Sequence, residues 1–80
     1  MNKSDITIKV QEIFRRVFSD DSIVVSDAMA ADDVEEWDSL NHAVMIGEVE
    51  ELFQIKFGIR EIIKMENVGD MIELVAHKLG

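Results

Sequence analysis

The sequence predicts an all-α bundle of three main helices and one short helix, with a long loop after the first helix. Three observations carry that prediction. Apolar residues recur at spacings of three and four in three separated stretches, a helix-capping residue precedes each of them, and residues 19–37 follow neither a helical nor a strand period.

The first helix is expected from about Asp5 to Phe18. Ile6, Val10, Ile13, Phe14 and Val17 make its apolar stripe, Lys9, Glu12, Arg15 and Arg16 lie on other faces, and Ser4 is its N-cap. The pattern fails at Ser19-Asp20-Asp21-Ser22. In the long loop that follows, Ile23, Val24, Val25, Met29, Val34 and Trp37 are the expected pins, with one helical turn from Ser26 or Asp27 through Ala31. The second helix starts at Asp38-Ser39, with Asp38 as N-cap, and runs to about Gln54. Leu40, Ala43, Ile46, Val49 and Phe53 form its stripe. Gly47 interrupts it at a cost of ~1 kcal/mol against Ala, which points to close packing or the approach of something bulky. Gly58 is the breaker after it, Arg60 to Met65 form a short helical turn with Ile59, Ile62 and Ile63 facing inward, and Asn67 caps the last helix. Asp70 completes a capping-box-like pair with Asn67, and Val68, Met71, Ile72, Val75 and Leu79 make the final stripe.

Composition narrows the function. Eighty residues make one domain, 1–80, small enough to leave little beyond its core for a preorganised substrate cleft. There are no cysteines, hence no disulfides, thiolate metal site or cysteine nucleophile. Mean hydropathy of +0.05 is too high for a disordered tail. The apolar runs fall far short of the ~20 residues that cross a bilayer, and the first residues are not an apolar leader. These features predict a cytoplasmic, soluble protein with no membrane partner.

The net charge of −9 is unevenly placed. Residues 19–54 hold eleven acids and no Lys or Arg, residues 1–18 carry a small positive excess, and residues 55–80 balance. A negative field of that kind repels nucleic acid and anionic lipid and attracts basic partners.

Ser39 stands inside the acidic stretch, at the mouth of the second helix. Free backbone N–H groups and a partial positive charge favour an anion there, and the dipole contributes ~0.3–1 kcal/mol at an exposed site. A phosphodiester on Ser39 Oγ would profit from both. On residue chemistry alone, the simpler reading is that Ser39 shares capping duty with Asp38.

The run VEEWDSLNHAVMIGEVEELFQIKF, from Val34 to Phe57, resembles the modification segment of acyl carrier proteins. The resemblance extends through AADDVEEWDSL upstream and NVGDMIELV downstream, so it covers most of the chain, and it implies an acyl-carrier-like four-helix bundle. Asp-Ser-Leu alone is a common tripeptide; at a helix start, mid-chain in an acidic domain of this length, it is specific. The resemblance implies that Ser39 carries 4′-phosphopantetheine, that Asp38 helps a phosphopantetheinyl transferase engage it, and that Leu40 meets partner enzymes. Glu50 and Glu51 match positions that meet basic patches on those enzymes. Leu40, Val44, Gly47 and Glu51 follow one helix face and can line the partner surface. Implied partners are acyl-loading and acyl-transferring enzymes with basic and apolar patches, acting on a monomer. Glu36 stands where housekeeping fatty-acid carriers have glycine, Trp37 replaces a small residue, and Asn41 and Val44 are uncharged. Trp-Asp-Ser-Leu is more similar to stand-alone carriers of specialised acyl, polyketide or aminoacyl pathways. An unmodified acidic interaction module is the alternative.

Other candidates carry less. His42 follows Ser39 by three residues, but Gly-x-Ser-x-Gly is absent and no third group supports hydrolysis, so no catalytic residue is assigned. The acidic loop lacks the central glycine of an EF-hand, and no metal ligand is assigned. Met29, Met45, Met65 and Met71 read as core filler, with Met45, Met65 or Met71 able to line a groove; Trp37 reads as an apolar pin.

Overall fold

In the computed structural model, which describes residues 2–34 and 37–80, the order is α1 (Lys3–Val17), a 3-10 turn (Ala31–Asp33), α2 (Ser39–Phe53), α3 (Ile59–Lys64) and α4 (Val68–Leu79). The four-helix arrangement expected from the periodicity is present. Glu35 and Glu36, part of the predicted acidic loop, lie outside the described residues.

α1 is the hub. Its stripe of Ile6, Val10, Ile13 and Phe14 is buried, and the helix packs against both α2 and α4. Met45, Ile46, Val49 and Phe53 of α2 and Val68, Met71, Ile72 and Val75 of α4 close the same core. The cap of α1 is Asn2, not Ser4: the Asn2 side chain accepts from Asp5 N at 2.9 Å, and Ser4 lies inside the helix. The helix begins two residues further back, because Asn2 is as good a cap as Ser4 and adds helical residues upstream.

α1 ends at Phe18, with Ser19 in the left-handed region (φ 52°) and Asp20 N–H donating to Arg15 O at 3.0 Å. α2 stops the same way. Gln54 sits at φ 58°, and both Gln54 and Ile55 N–H donate to Glu50 O. That left-handed cap ends α2 before Gly58, the expected breaker, is reached. Gly58 N–H instead donates to Glu61 Oε1 at 2.7 Å and starts α3. That bond, and then Lys78, hold the Glu61 carboxyl below its ordinary range.

The long loop is ordered by polar side chains of α1 and by the start of α4. Arg15 Nε donates to Ile23 O at 2.7 Å, and Val25 N–H donates to Gln11 Oε1 at 3.1 Å. Ile23, Val25, Val34 and Trp37 are buried and Met29 is half-buried, as expected of pins, whereas Val24 is 70% exposed. Its two neighbours point inward, and alternation in extended backbone sends Val24 out. The expected turn at Ser26–Ala31 is a single reverse turn, Met29 N–H to Ser26 O, and the helical turn comes later at Ala31–Asp33. There Asp33 accepts from Ala30 N–H at 3.0 Å.

The loop then caps α4. Val68 N–H donates to Met29 O at 2.8 Å and Gly69 N–H to Asp27 O at 2.9 Å, filling two of the amides that a helix start leaves open. Asn67 accepts from Asp70 N–H as expected, but the Asp70 carboxylate reaches Glu66 N–H, one residue before the cap. Two further expectations are corrected. Ile59 and Ile63 are 77% and 74% exposed, because a six-residue helix can turn only one side inward and Ile62 occupies it. Leu79, the last residue of α4, is on the rim and not in the core.

Candidate functional site

Ser39 is the first residue of α2 and is exposed. The side chain of Asp38 takes the capping role: its Oδ1 accepts from Asn41 N–H at 2.8 Å while Asp38 O accepts from His42 N–H at 2.8 Å. The simpler reading, in which Ser39 shares that duty, is therefore corrected. Among the described residues nothing is hydrogen-bonded to Ser39 Oγ, and the first turn of α2 contains no acid. The hydroxyl opens on a cleft of about 440 Å³ walled by Ala31, Trp37, Asp38, Ser39 and His42.

Trp37 sets the wall of that cleft. It is buried edge-on against Phe14, with ring centroids 5.1 Å apart at 85°, and also meets Phe18 at 6.1 Å. Its indole Nε1–H donates to His42 Nδ1 at 2.9 Å, and the two rings lie edge to edge and nearly coplanar, with centroids 6.0 Å apart and 19° between planes. An indole N–H only donates, so Nδ1 of the neutral ring is the acceptor and the imidazole proton resides on Nε2. Burial pulls the His42 pKa below its ordinary value. These facts leave His42 unsuited as a base for Ser39, because its basic nitrogen faces Trp37. Sequence reasoning named both residues but missed the pair. The signal was available: Trp37 and His42 occupy the positions just before the cap and at the fourth helical residue, where a hydrophobic staple forms.

The face of α2 beyond Ser39 separates into used and open positions. Leu40 is 73% exposed and Val44 46% exposed, and Gly47 and Glu51 are exposed on the same side. Leu40 and Ala43, both expected in the buried stripe, are exposed; Met45 replaces them in the core. Gly47 is not a close-packed position, since a Cβ there would meet nothing within 4 Å. Glu50 is half-buried and accepts from Phe57 N–H at 2.8 Å, so its carboxylate is held by the chain that follows α2. Glu48 pairs with Arg16. Of the three acids late in α2, Glu51 is the one left open to solvent.

The methionines divide similarly. Met45 and Met71 are fully buried core, while Met65 borders a surface cleft of about 460 Å³ with Leu74, Lys64 and His77. Among the described residues no group of three or more His, Asp or Glu converges to hold a metal ion, and no helix is long and apolar enough to cross a membrane.

No family model matches the sequence, and no curated protein matches it significantly. A solved structure does. The chain is similar to a holo acyl carrier protein from Geobacter metallireducens, solved in solution by NMR, with 44% sequence identity and a TM-score of 0.87. The match covers 91% of this chain and 84% of that one.

Proposed function

The chain belongs to the acyl carrier protein family, and from that premise we propose that Ser39 is the residue that carries 4′-phosphopantetheine, joined to Oγ as a phosphodiester. The protein is a carrier and not an enzyme. The observation that supports the attachment site is the hydroxyl itself. Asp38 caps α2 in its place, so Ser39 Oγ is exposed and uncommitted at a helix start where an anion is favoured.

The residues present fit such a group. The Ser39 and Leu40 amides have no partner among the described residues, the first turn of α2 carries no acid, and the adjoining cleft is open. When bound, the arm supplies a terminal thiol that holds an acyl group as a thioester, chemistry unavailable to a chain without cysteine. The protein holds that arm on a rigid helix and presents a docking face to successive enzymes, which raises their effective concentration toward the cargo.

Leu40, Val44 and Gly47 form the apolar part of that face and Glu51 its charge; Glu50 supports the face from within. Asp38, beside the serine, serves the phosphopantetheinyl transferase. Partners are that transferase and acyl-loading and acyl-transferring enzymes with basic and apolar patches, acting on a single cytoplasmic carrier domain, residues 1–80, as a monomer. The cargo is an acyl intermediate of a specialised pathway, whether lipid or polyketide, and the neutral Asn41 and Val44 beside Ser39 accord with that type; an aminoacyl cargo uses the same scaffold.

Intact-mass measurement after co-expression with a phosphopantetheinyl transferase tests the reading. One arm is expected on the native protein and none on Ser39→Ala. An unmodified native protein would make the chain an acidic interaction module, and an arm that survives Ser39→Ala would move the site elsewhere.

A further inference from the structure

We propose that His42 is a positioning residue for the arm on Ser39: its Nε2–H donates to a phosphodiester oxygen, and Trp37 holds the ring in the tautomer that makes this possible. The inference rests on the reading of Ser39 as the attachment site. It adds a side-chain contact for the phosphate.

The argument starts from ring chemistry. The Trp37 indole can only donate, so the 2.9 Å bond fixes Nδ1 as acceptor and places the proton of neutral His42 on Nε2. The near-coplanar, edge-to-edge alignment, with 19° between planes, fixes the plane of the imidazole as well. Trp37 cannot follow the imidazole outward, because Phe14 and Phe18 hold it in the core. Nε2 lies across the ring from the anchored nitrogen, and His42 and Ser39 line the same cleft. Helical side chains lean toward the N-terminus, so a residue at the fourth position covers the turn that begins with Ser39. Residues three apart on a helix have Cβ atoms about 5–6 Å apart, within reach of a phosphate on the serine and a donor on the histidine.

The surroundings give the donor a purpose. Among the described residues Asp38 is the one charged residue that walls the cleft, and its carboxylate would repel a phosphodiester. From the other elements packed here, α1 presents Phe14 and Phe18 to Trp37, and the 3-10 turn presents Ala31. Asp33 of that turn is engaged by Ala30 N–H, and Asp32 is exposed. Among the described residues no Lys or Arg lines the cleft, so the His42 Nε2–H is the side-chain donor best placed to offset Asp38.

The test compares apo and holo protein of the full chain, with intact mass confirming that the holo sample carries one arm. Nitrogen-15 NMR should show the Nε2–H tautomer of His42 at high pH in the apo form. In the holo form the His42 midpoint should rise by about 0.5–1 pH unit, since an adjacent anion favours the imidazolium. His77, exposed in the last turn of α4, serves as the unmoved control. A phosphodiester keeps its charge across this range, so its phosphorus-31 signal should titrate only by following His42, and should lie flat in holo His42→Phe. An equal His42 midpoint in apo and holo protein with a flat phosphorus signal, or the opposite tautomer, would overturn the proposal while leaving the arm in place. A chain that accepts no arm on Ser39 would overturn the carrier reading and this inference with it.

Discussion

Two helical glycines should respond in opposite directions to the same substitution. Gly69 is the second residue of α4, and a Cβ built there lies 2.9 Å from Asp27 O, 3.0 Å from Asp27 Cβ and 3.2 Å from Asn67 Oδ1. Two of those three neighbours have structural duties. Asp27 O accepts the Gly69 N–H that ties the long loop to α4, and Asn67 Oδ1 caps the helix. Asp27 O is backbone, and Asn67 Oδ1, although a side-chain end, is held by its capping bond, so the methyl of Gly69→Ala has to push the loop away. Overpacking of this kind costs about 1–3 kcal/mol, and weakening the Gly69–Asp27 bond adds about 0.5–1.5 kcal/mol. Against this, Ala regains at most ~1 kcal/mol of helix propensity. The net expectation is a loss of about 0.5–3.5 kcal/mol, with a fall in Tm of roughly 4–8 °C for each kcal/mol in a domain of this size. Gly47→Ala meets open space in the middle of α2 and should gain up to ~1 kcal/mol. Thermal and denaturant unfolding of both variants, with amide exchange at Val68 and position 69, reads the result. A Gly69→Ala protein as stable as the parent, with both amides still protected, would refute the claim that the loop is clasped to α4 through this contact. A destabilised Gly47→Ala would refute the claim that its site is open.

Three further outcomes follow from the same geometry. Glu51→Lys should slow transfer by partner enzymes and leave the melting curve in place, whereas Glu50→Ala should cost about 1 kcal/mol of stability by orphaning the Phe57 N–H; equal effects on transfer and none on stability would reassign Glu50 to the docking face. Because burial lowers the His42 pKa from 6.5 in the fold, the unfolded chain binds the proton first as pH falls. The stability advantage of the parent over His42→Phe should therefore be full above about pH 6.5 and shrink as the solution is acidified below it; a constant difference from pH 7.5 to about pH 5 would contradict this. Trp37→Phe, which keeps an aromatic ring but removes the Nε1–H, should raise the His42 midpoint in the apo protein, and an unchanged midpoint would show that the indole bond does not bias the ring.

Much of the site was legible because it is local. Asp38 as cap, Ser39 as first helical residue and Leu40, Val44, Gly47 and Glu51 on one face all follow from helical spacing and cap chemistry within a single element. Misjudged positions were those whose fate depends on another element. Ile59 and Ile63 match an inward-facing pattern, yet a six-residue helix turns only one side to its neighbours. Glu50 and Glu51 are adjacent identical residues, and only the return of the chain at Phe57 distinguishes the one that is engaged from the one that is open.

The sequence by itself determined the number and order of helices, the placement of a serine at a helix start, and the acidic stretch around it. Period, capping chemistry and charge are properties of neighbouring residues, and they survive without knowledge of the fold. The tertiary structure decided what each acid is engaged with, which glycine is crowded, and how the long loop is held. It also buried Trp37, because that burial depends on Phe14 of α1 and on Phe18 at its C-cap. Those outcomes depend on contacts between residues far apart in the chain, where spacing carries no information and only packing chooses among the partners.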